Sequence, residues 1–359
     1  MITSISLTHF RNHANLRLET DAPMVAIIGA NGAGKTNVLE AISLFTPGRG
    51  MRSAETAELQ MQGVENGWGA QLEVKSADGI IQLSTGLAPG QTRRSVLIND
   101  EAAAQSDLRD YLSLLWLTPE DDFVLARGTT ARRSLLDRFI STLDRQHAGR
   151  LQQLQKSSSE RLRILQMPRA DHAWLTAIEK EISERGTAIA AARLSFLEQI
   201  MPYLQNAPQG FPAITAAIAG DVEIALQSAP ALQVEEDYSA KLREARDADA
   251  IRGQTSYGVH RSDWRITYIH KNQPAESCST GEQKAILFSL FLATAQLVAA
   301  HENRPPVLLL DECLSHLDEV RAAALLECFS NLGAQIFLTG VNDAVMQSFK
   351  KIAIHALGS

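Results

Sequence analysis

Apolar and polar positions alternate over residues 2–8, a period-two pattern that predicts a strand with one buried face. Residues 24–28, Met-Val-Ala-Ile-Ile, form instead a continuous apolar run ending on a glycine, which predicts a buried strand that delivers the chain into a turn. Residues 37–45 then carry apolar side chains at helical spacing and stop ahead of Pro47 and Gly48. Strand, glycine-rich loop and helix thus follow one another directly. Alternating patches at 69–74, 80–85 and 95–98, punctuated by Asp78-Gly79 and Pro89-Gly90, predict antiparallel hairpins in a β-rich side layer.

From about residue 127 turn signals become sparse and apolar residues recur at three and four, which predicts helices. Ile178, Ile182, Ile189, Ala192 and Phe196 form a heptad-like stripe, interrupted by Arg185, Gly186 and Pro202. A helix of about 30 residues is only about 45 Å long, so this segment makes locally paired helices and no long coiled-coil arm. Residues 211–226 look strand-like, and alternation resumes over 255–270. The most apolar stretch, 285–300, is shorter than a bilayer span and contains Ser289, Thr294 and Gln296, so a buried helix and no membrane are expected.

Composition changes this picture little. A chain of 359 residues, 45% apolar and 21% charged, has the makings of one large or two ordinary globular domains. Cys278, Cys313 and Cys328 show neither metal-ligand spacing nor the even count of a disulfide framework. With no export signal expected at the N-terminus, a cytoplasmic location is the expectation. The net charge of -7 excludes a uniformly basic surface but not one basic face. Residues 127–169 hold ten Lys or Arg against three Asp or Glu, an excess able to neutralise nucleic-acid phosphates. A solvated helix surface has the same composition. Arg93-Arg94 is a smaller cluster. No base-reading module is visible, so any such contact is expected to lack sequence preference.

Three local patterns carry chemistry. Gly29, Ala30, Asn31, Gly32, Ala33, Gly34, Lys35 and Thr36 match the phosphate-loop pattern of glycine, four residues, glycine, lysine and threonine. The glycines let backbone N–H groups turn toward phosphates, Lys35 offers a charge to the β and γ phosphates, and the Thr36 hydroxyl is a Mg²⁺ ligand. The helix that follows points its positive end at them. By average residue frequencies the match arises by chance in roughly one chain in a hundred of this length. Second, the apolar run 307–310 ends in Asp311 and Glu312, the acid-bearing strand that a phosphate loop requires. Apolar runs ending in acids are also common as plain strand ends; in the phosphate-loop reading Asp311 would hold Mg²⁺ through water and Glu312 would orient or deprotonate the attacking water. A polar turn with Asp318 follows. Third, Ser279 opens the apolar helix with Glu282 at capping-box spacing.

Cys278, Ser279, Thr280, Gly281, Glu282 and Gln283, placed ahead of Asp311 and Glu312, resemble the signature of ABC-type ATPases. In that family the signature of one protomer closes over the γ-phosphate held by its partner. The resemblance therefore implies a head-to-tail homodimer enclosing two ATP. Phe10-Arg11-Asn12, Asn31, the run from Gly34 through Asn37 to Ile42, Pro119-Glu120-Asp121, Arg132-Arg133 with Asp137, and Gly258-Val259-His260-Arg261 with Asp263 are similar to blocks of the RecF family, in the SMC and Rad50 branch. Val259 stands where those blocks usually have proline. The usual ABC switch histidine has no counterpart in the segment from Phe337 through Thr339 and Gly340 to Val341, where RecF-like proteins also carry threonine, so slow, DNA-stimulated hydrolysis is implied. The interlobe glutamine is not placed, although Glu120 and Asp121 lie in its region.

This resemblance implies an α/β fold, an ABC-type ATPase head with a phosphate loop, a mixed sheet and an antiparallel β layer, plus a helical second lobe and short insertion. Residues 1–125 would form the N-terminal part of lobe I, 126–250 the helical lobe or short arm, and 251–359 the C-terminal ATPase part. ATP and Mg²⁺ are the implied cofactors. Arg11, the loop from Gly29 to Thr36, and Asn37 would bind the nucleotide, joined by Ser279, Gly281 and Asp318. Thr36 and Asp311 would hold Mg²⁺, and Glu312 and Lys35 would be catalytic. Arg132, Arg133 and Arg138 become DNA candidates, with His260 and Arg261 nearby in role. Implied partners are DNA as duplex, single strand or gap junction, together with RecR, RecO and RecA. A transporter's nucleotide-binding subunit fits less well because of the helical insertion. A Rad50 or SMC head needs coiled-coil arms, and the roughly 240 residues between Thr36 and Ser279 leave no room for them.

Overall fold

The computed structural model describes residues 1–76, 79–314, 317, 319–340 and 352–358. Asp78, Ser315, His316, Asp318 and Val341 therefore lie outside the described residues. The chain divides into two compact units: Met1–Asp122 with Pro208–Gly210 and Thr294–Ser359, and Phe123–Ala207 with Phe211–Ala293. The first boundary falls close to residue 125. No boundary falls at 250, and residues 251–293, including Ser279, belong to the second unit.

The first unit begins with β1 (Ile2–Phe10), β2 (His13–Glu19), β3 (Met24–Ile28), α1 (Lys35–Ser43), β4 (Trp68–Ser76), β5 (Gly79–Leu87), β6 (Ser95–Ile98), β7 (Glu101–Ala102) and β8 (Leu114–Leu117). The alternating segments pair as expected into an antiparallel sheet ordered β2-β1-β4-β5-β6-β7. In β4, for example, Trp68, Ala70, Leu72 and Val74 are buried while the residues between them are half-exposed, the signature of a sheet with one wet face.

The second unit contains α2 (Thr129–Leu143), α3 (His147–Leu165), α4 (His172–Gln205), β9 (Ile214–Ala219), α5 (Asp221–Leu226), α6 (Ala231–Glu244), α7 (Arg246–Arg252), β10 (Asp263–Tyr268), β11 (Gln273–Pro274) and the start of α8 (Thr280–Glu302). Ile178, Ile182, Ile189 and Phe196 are buried on α4, while Ala192 is half-buried. The helix is not broken at Gly186. The Tyr238 ring of α6 occupies the space a side chain would need, with a Cβ at Gly186 only 3.1 Å from Tyr238 Cζ. Residues 211–226 are only partly strand, because the chain turns into α5 after Gly220, where Asp221 and Glu223 complement the helix N-terminus. Buried arginines brace this unit. Arg193, 1% exposed, reaches Asp137, Glu223 and the Val259 carbonyl, and Arg161 reaches Glu179, Asp249 and the Leu242 carbonyl. Among the described residues only α8 is long and apolar enough to cross a membrane, but 72% of its most apolar window is buried inside the protein, as a core helix requires.

The chain then returns to the first unit with β12 (Val307–Leu310), α9 (Glu319–Asn331), β13 (Gln335–Thr339) and β14 (Ile352–Ala356). These strands join β3 and β8 in a parallel sheet ordered β14-β3-β13-β12-β8. Its strands β3, β12 and β13 are mostly apolar and buried along their length, as expected where both faces are covered, whereas the edge strand β14 is partly exposed. One core in this unit unites Ile5, Leu7 and Leu72 of the antiparallel sheet, Val25, Leu309 and Phe337 of the parallel sheet, and Val38 and Ile42 of α1. The carboxyl ends of the neighbouring strands β3, β13 and β12 therefore open on one edge, the usual place for a ligand crevice in such sheets.

Candidate functional site

Three strand ends converge there. Gly29 through Gly34 link β3 to α1, so Lys35 and Thr36 open the helix. The ends of β12 and β13 deliver Asp311 and Glu312, and Thr339. Thr36 Oγ1 donates to Asp311 Oδ1 at 2.9 Å across 275 residues of sequence. Lys35 Nζ donates to the carbonyls of Gly29 and Ala30, at 2.9 and 3.0 Å, which holds its charge over the loop. Asp311 is 4% exposed, whereas Glu312 is exposed. Adjacent acids thus occupy different environments, one buried beside the loop and one exposed at the surface.

The residues suit a small hard cation. Thr36 and Asp311 offer oxygen ligands, and no group of three or more His, Cys, Asp or Glu among the described residues forms a protein-only metal cage. A Mg²⁺ ion, which keeps waters and is completed by substrate phosphates, fits such a sparse donor set better than Zn²⁺ or Ca²⁺.

The β1–β2 turn grips the loop from the side. Asn12 Nδ2 donates to the Gly32 carbonyl at 3.1 Å, Asn37 Nδ2 donates to Asn12 Oδ1 at 2.7 Å, and His13 Nε2 lies 3.1 Å from the Gly34 carbonyl. A carbonyl only accepts, so this contact is a hydrogen bond in the tautomer with a proton on Nε2. Arg11 is tied to its neighbours on this side of the loop. Its guanidinium makes a bidentate pair with the fully buried Glu40, at 2.9 and 2.6 Å, and donates to the Glu58 carbonyl. In this conformation Arg11 anchors the turn that Asn12 and His13 extend. Sequence reasoning quoted Asn12 without a role and missed Glu40, since a glutamate inside a helix gives no signal that it is buried.

Ser279, Thr280 and Gly281 form an exposed tip on α8. Glu282 Oε2 accepts from both the Ser279 backbone N–H (3.0 Å) and its hydroxyl (2.8 Å). The half of the capping box in which Glu282 accepts from the Ser279 backbone N–H is made, and the serine hydroxyl donates to the same carboxylate oxygen. Lys271 pairs with the other oxygen of Glu282. The Lys271 ammonium, then the Ser279 hydroxyl and amide, hold the Glu282 carboxyl down at about 2. A depressed carboxyl stabilises the tip above its unfolded value of about 4.3, and this contribution is lost as pH falls toward 2. The Glu282 carboxyl carbon should titrate near 2 by NMR, and Lys271→Ala should raise the midpoint toward about 4. An unmoved midpoint in that variant would show that the pairing has no influence.

Of the three arginines expected to contact DNA, Arg132 is corrected by its surroundings, being committed to the interior. Arg132 is 6% exposed and makes two 2.9 Å bonds to Asp263 and one of 2.8 Å to the Leu125 carbonyl. Arg133 is half-buried against the Ser262 carbonyl, and Arg138 is half-buried over the Phe139 ring. Arg94 is likewise tied to the carbonyls of Leu44 and Gly48. Lys156 and Arg163, seven residues apart on α3, and Arg169 remain exposed, as does Arg261. Asp121 is buried, accepting from the Thr118 amide at the end of β8, while Glu120 is exposed.

The family model for the RecF/RecN/SMC N-terminal domain matches residues 1–356. The chain is 38% identical over 352 residues to the DNA replication and repair protein RecF of Mesorhizobium japonicum, covering 97% of this chain and 93% of that one. It is also 38% identical over 351 residues to RecF of Brucella suis, covering 97% and 91%. A solved structure of the recombination mediator protein RecF-ATPrS in the RecFOR pathway has a TM-score of 0.86 at 23% identity, covering 96% of this chain and 94% of that one. An SMC head bound to the C-winged helix domain of ScpA has a TM-score of 0.56 at 15% identity, covering 98% and 93%. The fold is thus shared with RecF and SMC heads.

Proposed function

The chain belongs to the RecF family, and from that premise we propose that it is an ATPase of recombinational repair in the RecFOR pathway, which uses ATP and Mg²⁺ to close two copies on DNA. The observation that carries the reading is the contact between Thr36 and Asp311 at the head of the phosphate loop, with Glu312 exposed beside it. The Gly29-to-Thr36 loop and the N-terminus of α1 surround the phosphates with N–H groups, and Lys35 moves its charge from its own loop carbonyls to the β and γ phosphates. Thr36 and Asp311 would hold Mg²⁺, which would supply positive charge to neutralise those phosphates. Glu312 takes a proton from water as its oxygen attacks the γ-phosphorus, the β–γ bridging P–O bond breaks, and ADP and phosphate leave.

Ser279 and Gly281 of one copy complete the site held by the other. The exposed tip suits this, since its amide and hydroxyl already hold the carboxylate of Glu282. Asp318, seven residues after Asp311 in sequence and outside the described residues, would join Ser279 and Gly281. The closed pair holds duplex, single-stranded or gapped DNA through its backbone, works with RecR and RecO in loading RecA, and opens on slow hydrolysis stimulated by DNA.

Binding of duplex, single-stranded and gapped DNA over a salt series, with and without ATP, tests the reading. ATP should raise affinity about 5- to 150-fold, and DNA should tighten ATP binding by the same factor. Affinity should fall as salt rises, with little dependence on base sequence. DNA affinity indifferent to ATP would overturn the proposal.

A further inference from the structure

The hydroxyl of Thr339, at the end of β13, stands between the two acids. It donates to Asp311 Oδ1 at 2.6 Å and accepts from the backbone N–H of Glu312 at 3.0 Å. A hydroxyl has one proton and two lone pairs, so both bonds form at once. The side chain is 1% exposed, which shields them from competing water. Asp311 Oδ1 therefore takes two hydroxyl donors, Thr36 from the phosphate loop and Thr339 from the neighbouring strand.

Glu312 itself turns sharply. Its φ of 52° is a left-handed conformation that residues with side chains rarely adopt, so something must hold it there. The Thr339 hydroxyl supplies the bond. Gly340 supplies the room, since a Cβ at that position would lie 3.0 Å from Glu312 Cγ and 3.1 Å from its Cα.

We infer that Thr339 is a positioning residue for ATP cleavage, whose hydroxyl sets the carboxylate on the Mg²⁺ side and the elbow carrying the water-activating glutamate relative to each other. The inference rests on the hydrolytic reading of this site. It gives the threonine a task of its own, carried out through Asp311 and Glu312.

Thr339→Val tests it, because valine keeps the branched shape suited to a buried strand end and removes only the hydroxyl. Asp311 then loses a donor and the Glu312 amide loses its acceptor. Turnover should fall about ten- to a hundredfold with KM for ATP within about threefold, and Thr339→Ser should restore turnover to within about threefold. A second readout needs no turnover. In a Glu312→Gln background, calorimetry with and without Mg²⁺ gives the factor by which the ion tightens ATP binding. That factor should shrink about threefold or more with valine and persist with serine. Wild-type turnover and an undiminished Mg²⁺ factor in the valine variant would overturn the inference. So would equal losses in the valine and serine variants, which would mean that side-chain shape matters and the hydroxyl does not. Wild-type turnover by Glu312→Gln alone would remove the hydrolytic reading itself, a separate failure.

Discussion

Glu312→Gln protein should bind ATP as tightly as the wild type, hydrolyse it about 10²- to 10⁴-fold more slowly, and accumulate as an ATP-loaded dimer. Glutamine keeps the size of the side chain but cannot accept a proton from water at neutral pH. The neighbouring acid cannot take over the task, because Asp311 is 4% exposed and its Oδ1 is committed to Thr36 and Thr339. Binding is spared because the loop contacts from Gly29 to Thr36 are untouched. Single-turnover hydrolysis measured alongside light scattering checks both parts. A rate within threefold of wild type would place the general base elsewhere.

Ser279→Arg should leave ATP affinity within about twofold and weaken the ATP-dependent dimer on the order of thirtyfold or more, the effect expected at the centre of an interface. The substitution lies at an exposed helix tip in the second compact unit, whereas the phosphate loop belongs to the first. It puts a long side chain where a small hydroxyl and an amide should meet the partner's terminal phosphate, and it displaces the hydroxyl bonded to Glu282. Calorimetry and sedimentation separate the two effects. A normal ATP-dependent dimer in this variant would mean that the tip takes no part in closure.

The chemistry of the first unit was legible because it is local. A phosphate loop declares itself in eight consecutive residues, and Asp311 and Glu312 do so by ending an apolar run. Their meeting follows from parallel strands whose carboxyl ends share an edge. Burial of charged side chains was not legible. Arg132 lies in a basic stretch that reads as a nucleic-acid surface, yet its partner Asp263 is 131 residues away and the pair is folded inside. Arg161, counted in the same stretch, is fully buried. Nothing in the spacing of arginines separates a structural one from a solvated one, since the difference lies in partners brought near only by the fold. Gly186 misled for a related reason. Its usual helix-breaking reading fails because Tyr238, 52 residues later, fills the vacant side-chain space. The hold of Asn12 and His13 on the loop was likewise hidden until β1 and β2 paired.

A complementation experiment tests the shared site most directly: mix Lys35→Ala protein with Ser279→Arg protein and measure ATP hydrolysis. Each variant alone damages both sites of its own dimer. In a mixed dimer one site combines an intact loop with an intact helix tip, while the other carries both lesions and leaves the arginine facing an empty loop. The account predicts that two nearly inactive proteins regain hydrolysis when mixed, in proportion to mixed dimer formed. Hydrolysis by the mixture equal to the sum of the separate proteins would contradict it, because a site sealed within one chain cannot be repaired by another.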